Sequence, residues 1–379
     1  MATEIQFQDV AELRNERVDP KTCPDAFYVG LEHIEQQSLR LGGHAFGRDA
    51  DSQKQKFYKG DILFGKLRPY FRKVVIAPFD GICSTDIWVV RPKGNASLNF
   101  IYYWMASAEF IRSSTHASEG GRMPRAKWDW VSEFTSEIVD QKEQEAIGEY
   151  LQQFDLRIQE NLKTSTELEE IAMSIFHKTF GESPTKTTIG KYATLGKSMI
   201  NPQKNLETEF VHYSIPSFDS QRFPARELGT EIQSSKFIID SSCLLISKLN
   251  PQNERKWLVL NPPESSICST EFIVLKPKNL EVLPFLFALS KTQDFQTQFV
   301  SWSTGSTGSR QRVRPDEILD YEFSLPDDAL LKEYANITSP MFEFIAEKVK
   351  ENLALMKLRD LFIERLYSGQ ISNLKSMVA

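Results

Sequence analysis

Gly81-Ile-Cys-Ser-Thr-Asp-Ile-Trp-Val-Val-Arg-Pro92 occurs twice in this chain, the second time as Ser266-Ile-Cys-Ser-Thr-Glu-Phe-Ile-Val-Leu-Lys-Pro277. Its neighbours repeat in the same order. Arg-Val-Asp-Pro at 17–20 answers to Met-Ile-Asn-Pro at 199–202, and Lys66-Leu-Arg-Pro69 to Lys248-Leu-Asn-Pro251. A Gly/Arg-rich run at 119–125 answers to 305–312. The offset drifts from 182 (199 minus 17) to 187 (312 minus 125), so small insertions fall in loops. A duplication of this length repeats a whole unit, and every other feature has to be read in both copies.

Each copy begins β-rich. Stretches 57–69 and 237–251 contain short strands rich in Ile, Leu and Phe; 73–78 and 257–260 read as the next strand. A further strand at 87–91 and 272–276 is ended by proline, and a helix follows at 98–107 and 284–291. Each copy then turns helical. From 141 to 180 Gly148 is the sole Gly or Pro, and apolar residues recur at Leu151, Phe154, Ile158, Leu162, Leu168, Ile171, Ile175 and Phe176. Its counterpart at 327–367 carries Ile337, Met341, Ile345, Val349, Leu355, Leu358 and Phe362. Spacings of three and four are helical, and forty residues of helix span about 60 Å. Two such helices are expected to pack antiparallel as a coiled coil. The expected fold class is therefore α+β: β-rich domains at 1–140 and 183–325, duplicated with pseudo-twofold character and separated by long helices at 141–182 and 326–379.

Composition excludes several classes. At 379 residues, 41% hydrophobic and 25% charged, the chain can build two or three ordinary cores. No apolar run approaches the ~20 residues of a membrane helix. The opening Met-Ala-Thr-Glu-Ile-Gln-Phe-Gln-Asp lacks the basic and apolar regions of a signal peptide, which points to a cytoplasmic protein. Cys23, Cys83, Cys243 and Cys268 show no CxxC spacing, so neither a zinc site nor a disulfide framework is expected. Cys83 and Cys268, matched in the repeat, read as buried strand thiols. The net charge of −6 argues against nucleic acid until it is located: 140–182 holds 4 basic and 10 acidic residues, the whole of the excess. The flanking domains are near neutral and free to carry local basic patches.

Catalytic motifs fail on inspection. Gly60-Asp-Ile-Leu-Phe-Gly-Lys66 fits the start of a phosphate-binding loop, but Leu67 stands where the magnesium-binding hydroxyl belongs and Pro69 prevents the following helix. Asn261-Pro-Pro-Glu264 resembles the NPP(Y/F) loop of amino-methyltransferases, yet Glu264 replaces the base-stacking aromatic; a turn between strands explains it better. No Ser or Cys has a His/Asp pair beside it in sequence.

Basic clusters carry more. Lys54, Lys56, Lys59, Lys66, Arg68, Arg72 and Lys73 crowd one stretch, interleaved with Phe57, Tyr58, Tyr70 and Phe71. Arg122, Arg125 and Lys127 precede Trp128 and Trp130; Arg310, Arg312 and Arg314 follow a Ser/Thr/Gly run. Small residues let a loop approach a phosphate backbone, and arginines reach phosphates or guanine edges. The expected DNA-binding set is Lys66, Arg68, Arg72, Lys73, Arg122 and Arg125 in the first copy, and Lys248, Asn250, Arg310, Arg312 and Arg314 in the second.

The motifs quoted above, in this order, with the helix that begins at Gln141 and the closing Leu358-Arg-Asp-Leu-Phe-Ile-Glu-Arg-Leu-Tyr-Ser-Gly-Gln-Ile371, resemble the specificity subunit of Type I restriction-modification enzymes. The resemblance covers essentially the whole chain. It implies two target-recognition domains that read a split double-stranded DNA site. It implies helices that set the spacer and dock DNA methyltransferase subunits, two in number, with motor-endonuclease subunits joining for restriction. It implies no catalysis and no cofactor in this chain. One departure is Val139-Asp140, where a proline usually announces the first helix, as Pro326 does in the second copy. Two other readings stay open: a self-contained DNA methyltransferase, and a coiled-coil adaptor of another methylation-based defence system.

Overall fold

The computed structural model describes residues 3–119, 123–138, 140–181, 185–220, 222–304, 311–324 and 326–367. The chain divides into two compact units, Met1–Gln159 with Ala354–Ala379, and Glu160–Leu353. Each long helix therefore contributes one part to each unit.

In the first unit a four-stranded antiparallel sheet runs in the order Ala11–Leu13, Ile87–Pro92, Ile62–Gly65, Val74–Ile76. A five-stranded mixed sheet runs Arg17–Val18, Lys54–Phe57, Gly81–Cys83, Phe27–Val29, Ala45–Phe46, with the last-but-two and last-but-one strands parallel. Thr3–Gln6 pairs with Thr135–Ile138, a pairing local pattern did not reveal. The second unit repeats this strand for strand. Its four-stranded sheet is Ala193–Leu195, Phe272–Pro277, Cys243–Ser247, Lys256–Val259. Its five-stranded sheet is Met199–Ile200, Lys236–Ile238, Ser266–Cys268, Glu209–Tyr213, Ala225–Leu228, and Lys186–Thr188 pairs with Glu322–Ser324. The repeated I-C-S-T stretch is the link between the sheets: it ends one strand of the mixed sheet and leads into a central strand of the antiparallel one. Cys83 and Cys268 are fully buried on those strand ends, as expected.

Two short helices cover each antiparallel sheet: Leu98–Ala106 and Ala108–His116, then Leu283–Ser290 and Gln293–Ser301. Ser97, Ser107 and Thr292 cap three of them, each accepting the backbone N–H of the third helical residue. The first core gathers Phe7, Phe64, Trp88, Trp104 and Phe110 with Ile363 and Tyr367 of the closing helix, and Tyr367 Oη donates to Phe100 O at 2.6 Å. The second gathers Phe285, Phe295, Phe299 and Phe323 with Phe176 and Tyr334 of the long helices.

The long helices are Gln141–Thr179 and Asp328–Tyr367, packed antiparallel. In the first unit Tyr150 and Phe154 meet Phe362, with ring centroids 5.6 and 5.8 Å apart. In the second, Asn161 Nδ2 donates to Asn352 Oδ1 at 2.7 Å and Tyr334 Oη to Ala172 O at 3.2 Å. Three expected seam residues need correction. Ile171, Ile337 and Leu358 are 47%, 43% and 46% exposed, and the next residues Ala172, Thr338 and Arg359 are buried instead. The seam thus lies one position on, where a small residue, a hydroxyl bonded to Tyr334 O and a paired guanidinium escape a hydropathy pattern. Pro340 sits inside the second helix on its exposed side. Among the described residues no helix is long and apolar enough to cross a membrane.

Candidate nucleic-acid interface

Strand Ile62–Gly65 delivers Lys66, and Cys243–Ser247 delivers Lys248, onto the same scaffold. Lys66 N donates to Asp86 O at 3.0 Å, and Lys248 N to Glu271 O at 2.9 Å. Their carbonyls accept from Ala126 N (2.9 Å) and Val313 N (3.1 Å). One residue on, Leu67 forms a β-bridge with Arg125, and Leu249 with Arg312. The next residue is left-handed in both units: Arg68 at φ 53° and Asn250 at φ 48°, with backbone N–H groups held by Pro124 O and Gln311 O. Asparagine tolerates this region far better than arginine does, so Arg68 sits there under a local cost that the surrounding bonds hold in place.

The acidic residue of the repeated motif completes the site. Ser84 N donates to Val29 O and Ser269 N to Tyr213 O, both at 3.0 Å, extending the parallel pairing. Their hydroxyls accept from Asp86 N and Glu271 N, both at 3.2 Å, and fix the carboxylates. Arg125 Nε and Nη2 donate to Asp86 at 2.7 and 3.1 Å; Arg312 Nε and Nη2 donate to Glu271 at 3.0 and 2.8 Å. The two arginine side chains stay 47% and 45% exposed. These bonds hold both arginines above their ordinary pKa and pull Glu271 below the usual carboxylate range. Burial lowers Lys66, against the pull of Asp86.

The structure therefore brings Lys66, Arg68 and Arg125 together in one unit, and Lys248, Asn250 and Arg312 in the other. Arg314 is exposed and begins the short helix Pro315–Asp320 nearby in sequence. Arg122 and Arg310 lie outside the described residues. Arg72 and Lys73 turn inward. Arg72, with its side chain 11% exposed, donates to Ala106 O at 2.6 Å and forms a two-bond pair with Asp360 at 2.8 and 3.0 Å. Lys73 Nζ donates to Leu31 O, and burial lowers its pKa. Lys54 is likewise buried, held by Ser52 O and Oγ, as Lys236 is by Ser234. Tyr58, Tyr70 and Trp130 keep 39%, 44% and 56% exposure, whereas Phe57 and Trp128 belong to cores. Asp86 and Glu271 were missed by the search for basic residues; their matched place in the repeated motif was the signal.

Asn261-Pro-Pro-Glu264 is a turn between Lys256–Val259 and Ser266–Cys268. Asn261 has φ 45° and its N–H is held by Ser242 Oγ at 2.9 Å. This is a strand connection, not a base-stacking pocket.

Residues 3–170 match the family described as Type I restriction modification DNA specificity domain. The chain is 28% identical over 151 residues to the Type I restriction enzyme EcoDI specificity subunit of Escherichia coli, covering 39% of this chain and 34% of that protein. It is 20% identical over 352 residues to the MjaIX specificity subunit of Methanocaldococcus jannaschii, covering 83% and 78%. The match thus spans about a third of the length of the former. Among solved structures, a Type I restriction-modification S subunit from M. genitalium shares the fold with a TM-score of 0.53 at 16% identity, covering 96% of each chain.

Proposed function

Because residues 3–170 match the Type I restriction modification DNA specificity domain and the chain is similar to specificity subunits of Type I restriction enzymes, we propose that it is such a subunit and selects the DNA on which the complex acts. Each β-rich domain reads one half of a split double-stranded target, and chemistry is left to partner subunits. The observation that carries this reading is the duplicated site: a lysine, a left-handed residue and an exposed arginine on one backbone scaffold, built twice. Lysines that meet phosphates release counterions and set affinity. Side chains that differ between the copies, above all Arg68 against Asn250, suit two different half-sites.

The long helices serve two roles in this proposal. Their length sets the spacer between half-sites, and their outer faces dock two methyltransferase subunits, with motor-endonuclease subunits joining for restriction. Leu156, Ile171, Ile337, Phe344, Leu358 and Leu361 are exposed on the long helices and are the apolar side chains such docking would cover. Binding-site selection from random duplexes by the purified chain tests the reading. It is expected to return two short fixed sequences around a run of unspecified bases, with retention that weakens as salt rises. A random pool after selection contradicts it.

A further inference from the structure

The acids of the Asp86–Arg125 and Glu271–Arg312 pairs lie in the most strongly repeated motif of the sequence, and recognition by cations alone gives those carboxylates no role. In each pair the carboxylate takes Nε and one hydrogen of Nη2. The opposite edge of the guanidinium keeps two parallel outward N–H groups, one on Nη1 and one on Nη2, and nearly half of each arginine is exposed. That edge fits a two-acceptor partner: guanine O6 and N7, or two phosphate oxygens. Charge decides between them. A guanidinium fused to a carboxylate has little net charge, so it gains little from a phosphate and releases few counterions. It keeps its fork geometry, and the carboxylate removes the rotational freedom a long side chain would otherwise lose on binding.

The carboxylates are themselves anchored. Ser84 and Ser269 hydroxyls accept from the Asp86 and Glu271 amides, and the same serines continue the parallel strand pairing through Val29 O and Tyr213 O. A chain of hydrogen bonds thus runs from the buried mixed sheet to an exposed guanidinium, identically in both domains. Two separate copies retain the acid–arginine pairing although one acid is Asp and the other Glu.

We infer that Asp86 and Glu271 are positioning residues that aim Arg125 and Arg312 at the major-groove edge of a guanine, one in each half-site. This rests on the DNA-recognition reading and names the base that each arginine reads.

The test uses the full chain and duplexes carrying its selected target, with single base-pair changes across both half-sites. Asp86→Asn is expected to abolish discrimination at one G·C pair of one half-site, a loss of about five- to hundred-fold. Because the variant leaves Arg125 uncompensated, its binding to unrelated DNA should strengthen and its salt dependence steepen. Glu271→Gln should do the same in the other half-site only. Arg312→Ala should remove discrimination at that second pair while changing the salt slope by far less than the ~0.9 of a phosphate contact. Asp86→Glu, which installs the acid of the second domain, should keep discrimination. Should Asp86→Asn fail to fold, Glu271→Gln and Arg312→Ala carry the same expectations. Even loss across all base changes, or a slope change near 0.9, overturns the inference and makes the pairs latches or phosphate contacts. A wild-type chain without sequence preference overturns the DNA reading itself, which is a separate outcome.

Discussion

Asp155→Ala is expected to be the most damaging single substitution on the first long helix. Arg359, 1% exposed, donates to Asp155 Oδ1 and pairs again with Asp360, while Tyr103 Oη donates to Asp155 Oδ2 at 2.6 Å. Arg72 pairs with the same Asp360, so two arginines and two aspartates tie domain and helices together inside the first unit. Removing Asp155 leaves a buried guanidinium half-compensated, which costs about 3–5 kcal/mol. For a unit of this size each kcal/mol shifts the melting temperature by roughly 2–4 °C, so the variant should melt about 6–20 °C lower. The loss should appear as hydrogen-exchange deprotection of 98–106, 150–159 and 354–367, with the second unit unaffected. The double variant Asp155→Ala with Arg359→Met should recover most of it, because exchanging a buried ion pair for apolar side chains is often neutral. Scanning calorimetry of both variants decides the matter. A double variant as unstable as the single one refutes the reasoning, as does a single variant that melts within 2 °C of the parent.

Three further outcomes follow from the helices. Asn161 and Asn352, both 2% exposed, satisfy each other, so Asn161→Leu alone should cost about 1–3 kcal/mol in denaturant unfolding, whereas changing both to Leu should be near neutral; equal costs would show that the pair is not a unit. Burial raises the Asp360 carboxyl, but Arg72 and Arg359 outweigh it and hold its pKa below the ordinary value. A depressed folded pKa contributes stability that is complete above the unfolded value of about 3.9 and is lost as pH falls through the folded one. Asp360→Asn should therefore flatten the acid limb of stability below about pH 4, and an unchanged limb would contradict that origin. Deleting one heptad from each long helix removes about 10 Å of rise, or about three base pairs at 3.4 Å each. Selected targets should then carry a spacer shorter by that amount with unchanged half-sites; an unchanged spacer would refute the ruler.

Much of the fold was legible because it is locally encoded and written twice. Short runs rich in Ile, Leu and Phe, and a following run ended by proline, gave the central strands, and three- and four-residue spacing gave helices within a few residues of Gln141–Thr179 and Asp328–Tyr367. What sequence hid was long-range pairing. Arg72 reads like any residue of a basic run, but its partner Asp360 lies 288 positions away. Asp155 reads as solvated acid on an acidic helix, and its partner is 204 positions away. Lys54 looks exposed by type, yet its stem is buried and its ammonium is held by a serine two residues back. The candidate site was found through its cations and missed through its anions. A carboxylate beside an arginine subtracts from local charge, so a search for basic patches discounts the residues that aim the arginine.

The most direct test of the central claim, that two domains of one chain read two separated half-sites, is methylation-sensitive sequencing of a host that carries this chain with its methyltransferase. Modified bases should fall in one bipartite motif: two short defined sequences separated by a fixed number of unspecified base pairs. A single continuous motif, or modification without a motif, would contradict the account.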